Sequence, residues 1–453
     1  AELEAQGRQF QTHSDCETIL HAYAVYGDDF LPHIGGMFAF ALYDRKKQRL
    51  ILARDRLGMK PLFLAETDQG ICFASEIKAL LPALSAKPDV NPSALIQFLQ
   101  NQNASGRETM FTGVEQLLPG ECVVIEQGRV IERKRYWSAR DVTPREIGYA
   151  EAEAEFDQLM EVVMTQHMRA DVPFGLFLSG GVDSTTLLAL LSRYKDEPIR
   201  TFSLGFVDSS VGDELSTAEH IAKHFNSQHT IIRPTGEQML NRLVYSTWAA
   251  DDLMRDFANL PSSLLAEEAA KELKEVCSGE GGDEAFAGYG RYRPGKLEAL
   301  LKNLLYPGSG GFRAGGNFRG SLPNSLFSSK LQQVAGGWRK PIIEAWRSAP
   351  KSWSDLQRRQ YVDLTTALPD NLLVKADRML MGWSLEGRLP FVDHRVVEFG
   401  LSLPDHLKIE GKQGKMFLKK WASRYLPNEH FWQKKRGFSV PVSDWLQGNY
   451  LAG

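Results

Sequence analysis

Apolar and polar positions along this chain follow two rhythms, and the change between them comes about a third of the way in. Residues 3–10 read as the tail of one helix and 17–26 as a second, opened by Ser14-Asp15 as its cap. Short β-type runs follow at 37–43, 50–53, 61–65 and 71–74, joined by polar turns such as Asp44-Arg-Lys-Lys47 and Thr67-Asp-Gln-Gly70. Residues 77–81 are helical again. Strands at 122–125 and 130–133 are joined by Glu126-Gln-Gly-Arg129. Strands this close, with tight turns, predict an antiparallel sheet faced by helices.

Residues 138–148, with Pro144 and mixed charges, mark the expected boundary between one domain over 1–145 and a second over 149–453. Beyond it an amphipathic helix carries Phe156, Leu159, Met160 and Val163 on one face and leads to an apolar run at 174–178. A helix, a strand at 201–206, a helix at 214–225 and a strand at 229–232 come next. Helices at 239–248 and 262–273 precede a strand at 275–277. This alternation predicts an α/β chain with a doubly wound parallel sheet. Its ligand belongs at the carboxyl ends of the strands, where the strands at 174, 201 and 275 would share one crevice. The last third is helical, at 356–365, 372–384, 396–403 and 416–425, and the Gly-, Arg- and Ser-rich stretch 306–325 reads as a flexible surface excursion.

Composition narrows the classes. The 453 residues suffice for about two to three domains, and a formal net charge of −3 makes no electrostatic case for nucleic acid. No apolar run approaches the roughly 18 residues that span a bilayer and no signal peptide opens the chain, so a cytoplasmic protein is expected. Cys16, Cys72, Cys122 and Cys277, with no C-x-x-C pair, read as buried reduced thiols. Ala1 stands in mid-helix by its pattern and Gly453 directly follows an amphipathic stretch. The sequence therefore reads as a fragment truncated at both ends.

Candidate chemistry concentrates in Ser179-Gly-Gly-Val-Asp-Ser184, between the apolar run at 174–178 and a helical pattern through Leu187, Leu188, Leu190 and Leu191. A strand, a glycine turn and a helix start bring backbone N–H groups together where the helix dipole is positive, which makes an anion site. Gly180 and Gly181 permit close approach, and Ser179, Ser184 and Thr185 add hydroxyls. Asp183 puts a negative charge beside that site, so the combination points to a magnesium-bound phosphate chain. No Walker loop occurs. The segment resembles the PP-loop of ATP pyrophosphatases, which split ATP into AMP and pyrophosphate.

Ser14-Asp-Cys-Glu17, Gly36-Met-Phe-Ala-Phe-Ala41, Ala53-Arg-Asp-Arg-Leu-Gly58, Lys60-Pro-Leu62 and Phe73-Ala-Ser-Glu-Ile-Lys-Ala-Leu80 resemble the class II glutaminase domain of glutamine-dependent amidotransferases. That resemblance implies an N-terminal-nucleophile antiparallel α+β sandwich, here truncated, with Asp15 holding the α-ammonium of glutamine. The family's nucleophile is an N-terminal cysteine, whereas residue 1 here is Ala and Cys16 lies on a helix. The chain as given is therefore expected not to hydrolyse glutamine.

Ser278-Gly-Glu-Gly-Gly-Asp-Glu-Ala-Phe-Ala-Gly-Tyr289, Leu368-Pro-Asp-Asn-Leu-Leu-Val-Lys-Ala-Asp-Arg378, Ser384-Leu-Glu-Gly-Arg-Leu-Pro-Phe-Val-Asp-His394, Gly414-Lys-Met-Phe-Leu-Lys419 and Lys435-Arg-Gly-Phe-Ser-Val-Pro441 resemble the asparagine synthetases. The resemblance implies ATP and Mg²⁺ as cofactors and small-molecule partners, namely aspartate and glutamine or ammonia; it is also compatible with a homodimer. It implies that Asp183 and Asp283 hold the metal, that Glu280 handles the proton lost as ammonia attacks a β-aspartyl-AMP, and that Lys415 neutralises the phosphates. Ser278, Gly279 and backbone near Phe177 and Leu204 would hold AMP, while Lys375, Arg378, Glu386 and Arg388 read as a buried ionic scaffold. Asp256-Phe-Ala-Asn-Leu-Pro261, preceded by Asp251-Asp252, departs from the family's pattern where the acceptor is chosen. Two other readings keep the same motifs: a same-fold amidotransferase acting on another carboxylate in a polysaccharide or natural-product pathway, β-lactam synthetase-like, and a non-catalytic nucleotide-binding regulator.

Overall fold

A computed structural model describes residues 2–195, 197–206, 215–254, 256–318, 325–426 and 440–447. The Lys435-to-Pro441 motif lies mostly outside the described residues. No described helix is long and apolar enough to cross a membrane.

The first part is a sandwich of two antiparallel sheets. Strands β1 (Ala39–Asp44), β2 (Arg49–Arg54), β3 (Phe63–Thr67), β4 (Gly70–Ala74), β5 (Val114–Gln116), β6 (Glu121–Glu126) and β7 (Arg129–Arg135) divide into sheets ordered β1-β2-β6-β7 and β4-β3-β5. Alternation along β2 sets the layers. Ile51 and Ala53 pack toward Ala22 of the helix Asp15–Tyr26, while Leu52 turns inward to meet Leu62, Leu64, Leu117, Val123 and Ile125. β5 and the helix Pro92–Asn101 had no counterpart in the sequence reading. The strand is three residues long, and the helix starts at an Asn91 cap followed by Pro92.

The second part holds a five-stranded parallel sheet. Its strands are β8 (Phe174–Phe177), β9 (Arg200–Leu204), β10 (Gln228–Ile232), β11 (Glu275–Cys277) and β12 (Glu386–Arg388), in the order β10-β9-β8-β11-β12. The chain runs outward from β8 to β9 and β10, then returns to the other side of β8 for β11 and β12. A crevice opens at the strands' carboxyl ends where such an order reverses. Gly175 lets the central strand be covered closely: a Cβ there would stand 2.7 Å from Leu273 Cδ1. The helix Tyr149–His167 buries Ala152, Phe156, Met160 and Val163 on one stripe. Phe156 meets the rings of Phe286, Phe399, Phe417 and Trp421 at centroid distances of 4.7–5.4 Å.

Three sequence expectations change. The single helix at 239–248 is two, Gly236–Leu240 and Leu243–Ala250, because a Thr235–Gln238 capping box starts the first one early. The stretch 306–318 is packed rather than a free excursion. Phe312 is buried with Tyr292, Ile342 and Trp346, and Arg313 Nε donates to Asp363 at 2.7 Å. The four cysteines are all free, but Cys16 is exposed and Cys72 only partly buried, so only Cys122 and Cys277 are the buried thiols expected of the set.

Candidate active site

β8 ends at Phe177 and the chain turns through Ser179, Gly180 and Gly181 into the helix Val182–Tyr194. Gly180 takes a φ of +75°, which a residue lacking Cβ adopts without penalty. Serine hydroxyls fasten the turn. Ser179 N donates to Ser184 Oγ at 3.2 Å, Gly181 N donates to Ser179 Oγ at 3.2 Å, and the two hydroxyls lie 3.0 Å apart. Asp183 stands in the helix's first turn, where the dipole favours a negative charge.

From β11 the turn Ser278-Gly-Glu-Gly281 leads into the short helix Gly282–Ala285. Ser278 N donates to the Arg388 carbonyl at 3.0 Å, so β12 fixes this turn, and the Ser278 hydroxyl donates to Glu280. Gly279 brings the two turns into contact: a Cβ on it would stand 2.9 Å from Asp183 Cβ and 3.0 Å from Ser184 N.

Lys415 arrives from a third loop with a left-handed φ of +57°, opening the helix Met416–Ala422. Its side chain is buried, and Nζ pairs with Asp183 Oδ2 and, at 2.9 Å, with Asp283 Oδ1. Burial acts to lower the pKa of this ammonium, but the two carboxylates outweigh it and hold the pKa above the ordinary lysine range. Gly288 makes room, since a Cβ there would stand 2.5 Å from Lys415 Cε.

A cavity of about 420 Å³ lies where the strands end, and Phe177, Ser179, Gly181, Asp183, Ser184, Leu204, Ser278, Gly279, Glu280 and Asp283 all line it. Gly180 does not line it, and Lys415 meets it through the two aspartates. Asp15 stands elsewhere, exposed in the first turn of its helix, with Ser14 Oγ accepting from Cys16 N at 3.3 Å. Its neighbour Glu17 accepts from the Thr12 hydroxyl at 2.6 Å and from the Gln11 and Thr12 amides, bonds that hold its pKa down to about 2.

Four further residues line the cavity; of these the sequence reading tied only Asp256, through the segment 256–261, to the choice of acceptor. Glu284 is buried, and burial followed by the charge of Asp283 pushes its pKa up to about 7; Tyr289 Oη donates to it at 2.7 Å. Asp256 and Lys375 also line the cavity, 2.9 Å apart, so Lys375 leaves the buried scaffold to which the sequence reading assigned it. Arg378, Glu386 and Arg388 are braces: Arg378 donates to the Ser75 carbonyl at 2.6 Å, and Arg388 pairs with Glu275 and Glu386 at 2.8 and 3.0 Å. Asp251 and Asp252 line a separate narrow cavity with Gln116, Asp370 and Arg378, not this one.

A family model described as asparagine synthase matches residues 155–452, and one described as a glutamine amidotransferase domain matches residues 1–137. The chain is 30% identical to the glutamine-hydrolyzing asparagine synthetase 1 of Bacillus subtilis (strain 168), with 98% of this chain and 74% of that protein covered. It is 28% identical to asparagine synthetase 3 of the same organism, covering 98% and 75%. To amidase chyE of Penicillium rubens it is 26% identical, covering 97% and 75%.

Proposed function

The chain belongs to the asparagine synthase family, and from that membership we propose that it converts aspartate to asparagine by way of an acyl-adenylate. The observation that carries this reading is the convergence of Asp183, Asp283 and Lys415 from three loops at the cavity's phosphate-binding turn. On this reading, residues 149–453 make the synthetase half and residues 1–145 the glutaminase half, in which Asp15 holds glutamine.

Phe177, Phe202, Leu204 and Leu265 line one part of the cavity with apolar surface suited to the adenine of ATP. The hydroxyls of Ser179 and Ser184, held in place by the amides of Gly181 and Ser179 at the start of the helix Val182–Tyr194, receive the phosphates. An oxygen of the aspartate side-chain carboxylate attacks the α-phosphorus, the bond from that phosphorus to the bridging oxygen breaks, and pyrophosphate leaves. Lys415, kept charged by its two aspartates, offsets the negative charge that grows on the departing group. Ammonia then attacks the acyl carbon, AMP leaves, and Glu280 takes the proton that the nitrogen loses.

Asp183 and Asp283 aim hard oxygen donors at one cationic atom, and among the described residues no cluster of three or more potential ligands occurs. Two carboxylates, with phosphates and water completing the shell, suit magnesium. Bound there, magnesium would neutralise and orient the triphosphate.

ATP–pyrophosphate exchange with L-aspartate tests the reading, followed by asparagine formation with ammonium chloride as nitrogen source. Aspartate-dependent exchange that Asp183→Asn abolishes supports it. Exchange with another acid but not aspartate rejects the acceptor, and exchange unaffected by Asp183→Asn rejects the site.

A further inference from the structure

The cavity is acidic. Its described lining carries Asp183, Asp256, Glu280, Asp283 and Glu284, against a single cation, Lys375. Asp183 and Asp283 are engaged with Lys415, Glu280 with the Ser278 hydroxyl and Glu284 with Tyr289. An anionic acceptor entering beside a triphosphate would meet repulsion from nearly every charged group there. Lys375 is the exception.

Lys375 sits on the helix Leu373–Met381 and holds Asp256 Oδ2 at 2.9 Å. The other oxygen of Asp256 accepts from Ala258 N at 3.0 Å, so the turn before the helix Asn259–Ala270 orients the carboxylate. The Lys375 and Asp256 side chains remain 13% and 21% exposed, unlike the Arg378 brace one turn further along the same helix, which is 6% exposed.

We propose that Lys375 and Asp256 recognise the two charges on the α-carbon of an amino-acid acceptor, Lys375 taking the α-carboxylate and Asp256 the α-ammonium. An ammonium has three donors and a carboxylate about four acceptor sites, so the pair persists while each member takes a substrate partner. Bound this way, four charges alternate in sign around a ring and none is left uncompensated. The remaining carboxylate of the substrate is the one left for the phosphate turn. The specificity is for a zwitterion rather than a simple dicarboxylate. This deepens the reading given under Proposed function and rests on it.

The test pairs each substitution with the substrate analogue lacking the matching charge, with ATP–pyrophosphate exchange as the readout. Lys375→Gln and Asp256→Asn are each expected to lower kcat/KM for L-aspartate by ~10- to 100-fold, the effect of losing one charge-assisted contact, with the KM for ATP unchanged. Toward 3-aminopropanoate, which has no α-carboxylate, Lys375→Gln should be nearly neutral. Toward succinate, which has no α-ammonium, Asp256→Asn should be nearly neutral. Lys375→Arg should retain most of the aspartate activity.

Equal losses on aspartate, succinate and 3-aminopropanoate would show that the pair only braces two helices and would overturn the proposal while leaving adenylation intact. Wild-type enzyme that supports no exchange with any acid would instead remove the adenylation reading itself. Each variant has its own analogue, so if one fails to fold, as seen in its melting curve, the other decides.

Discussion

On the proposed reading, the phosphate end of the site turns on Lys415. Its charge is stabilised by Asp183 and Asp283, and Gly288 gives its side chain the space it occupies. Lys415→Met is expected to lower pyrophosphate exchange by at least ~100-fold, and a loss of less than threefold would remove it from the mechanism. Gly288→Ala should do similar harm without changing any charge, because the added methyl displaces the Asp283 carboxylate first and Lys415 with it; saturating magnesium and ATP should not restore the rate. Lys408 makes a different point. It is wholly buried, donates to Gln360 Oε1 at 2.8 Å, and burial lowers its pKa to about 7 from an ordinary value of 10.5. Between those values the unfolded chain binds a proton that the folded chain does not, so this group makes stability rise with pH. The stability difference between Lys408→Met and the parent should therefore move, against the variant, by about 1.4 kcal/mol per pH unit in that window. Urea denaturation at pH 7 and pH 9 measures it.

At the scale of elements, periodicity showed which segments were legible. The helix Tyr149–His167 was readable because Phe156, Met160 and Val163 recur at helical spacing, and these side chains are buried. Phe156→Ala should cost about 3–5 kcal/mol in chemical denaturation, since four aromatic rings close around that position. β12 was not readable. Its Glu-Gly-Arg sequence has no apolar rhythm, and it becomes a strand only because its backbone pairs with β11. β5 escaped for the same reason, as a three-residue strand held by β3. The turn at 179–184 was legible because its glycines and hydroxyls are constrained locally. Nothing local to Asp256 or Lys375, 119 positions apart, announced that they would meet.

Across the whole molecule, the antiparallel sandwich docks on the parallel-sheet part through polar contacts that are buried or part-buried. Lys60 Nζ pairs with Asp377 at 2.8 Å, Arg378 reaches the Ser75 carbonyl, Asp251 accepts from Ile77 N and from Lys78 N, and Asp370 accepts at 3.0 Å from both Gly106 N and Gln116 Nε2. Arg378→Met removes the bond to the Ser75 carbonyl, while Asp251 keeps Lys78 at 3.3 Å and the amides of Ile77 and Lys78. It should cost about 1–3 kcal/mol and raise hydrogen exchange at residues 75–78 ahead of global unfolding. Exchange at 75–78 matching the parent would show that the docking does not depend on this contact.

Local patterns by themselves determined the class of each part, because strand and helix rhythms and glycine turns are enforced by backbone sterics and by which face meets water. They also marked Asp183, Glu280, Asp283 and Lys415 as candidates, through motifs whose residues lie close together in the chain. Tertiary structure alone decided that the Lys415 ammonium sits against both the Asp183 and Asp283 carboxylates, that Glu284 is buried with the Tyr289 hydroxyl on it, and that Lys375 faces the cavity paired with Asp256. Those outcomes depend on long-range packing, which sets distance and burial, and neither is carried by neighbours in sequence.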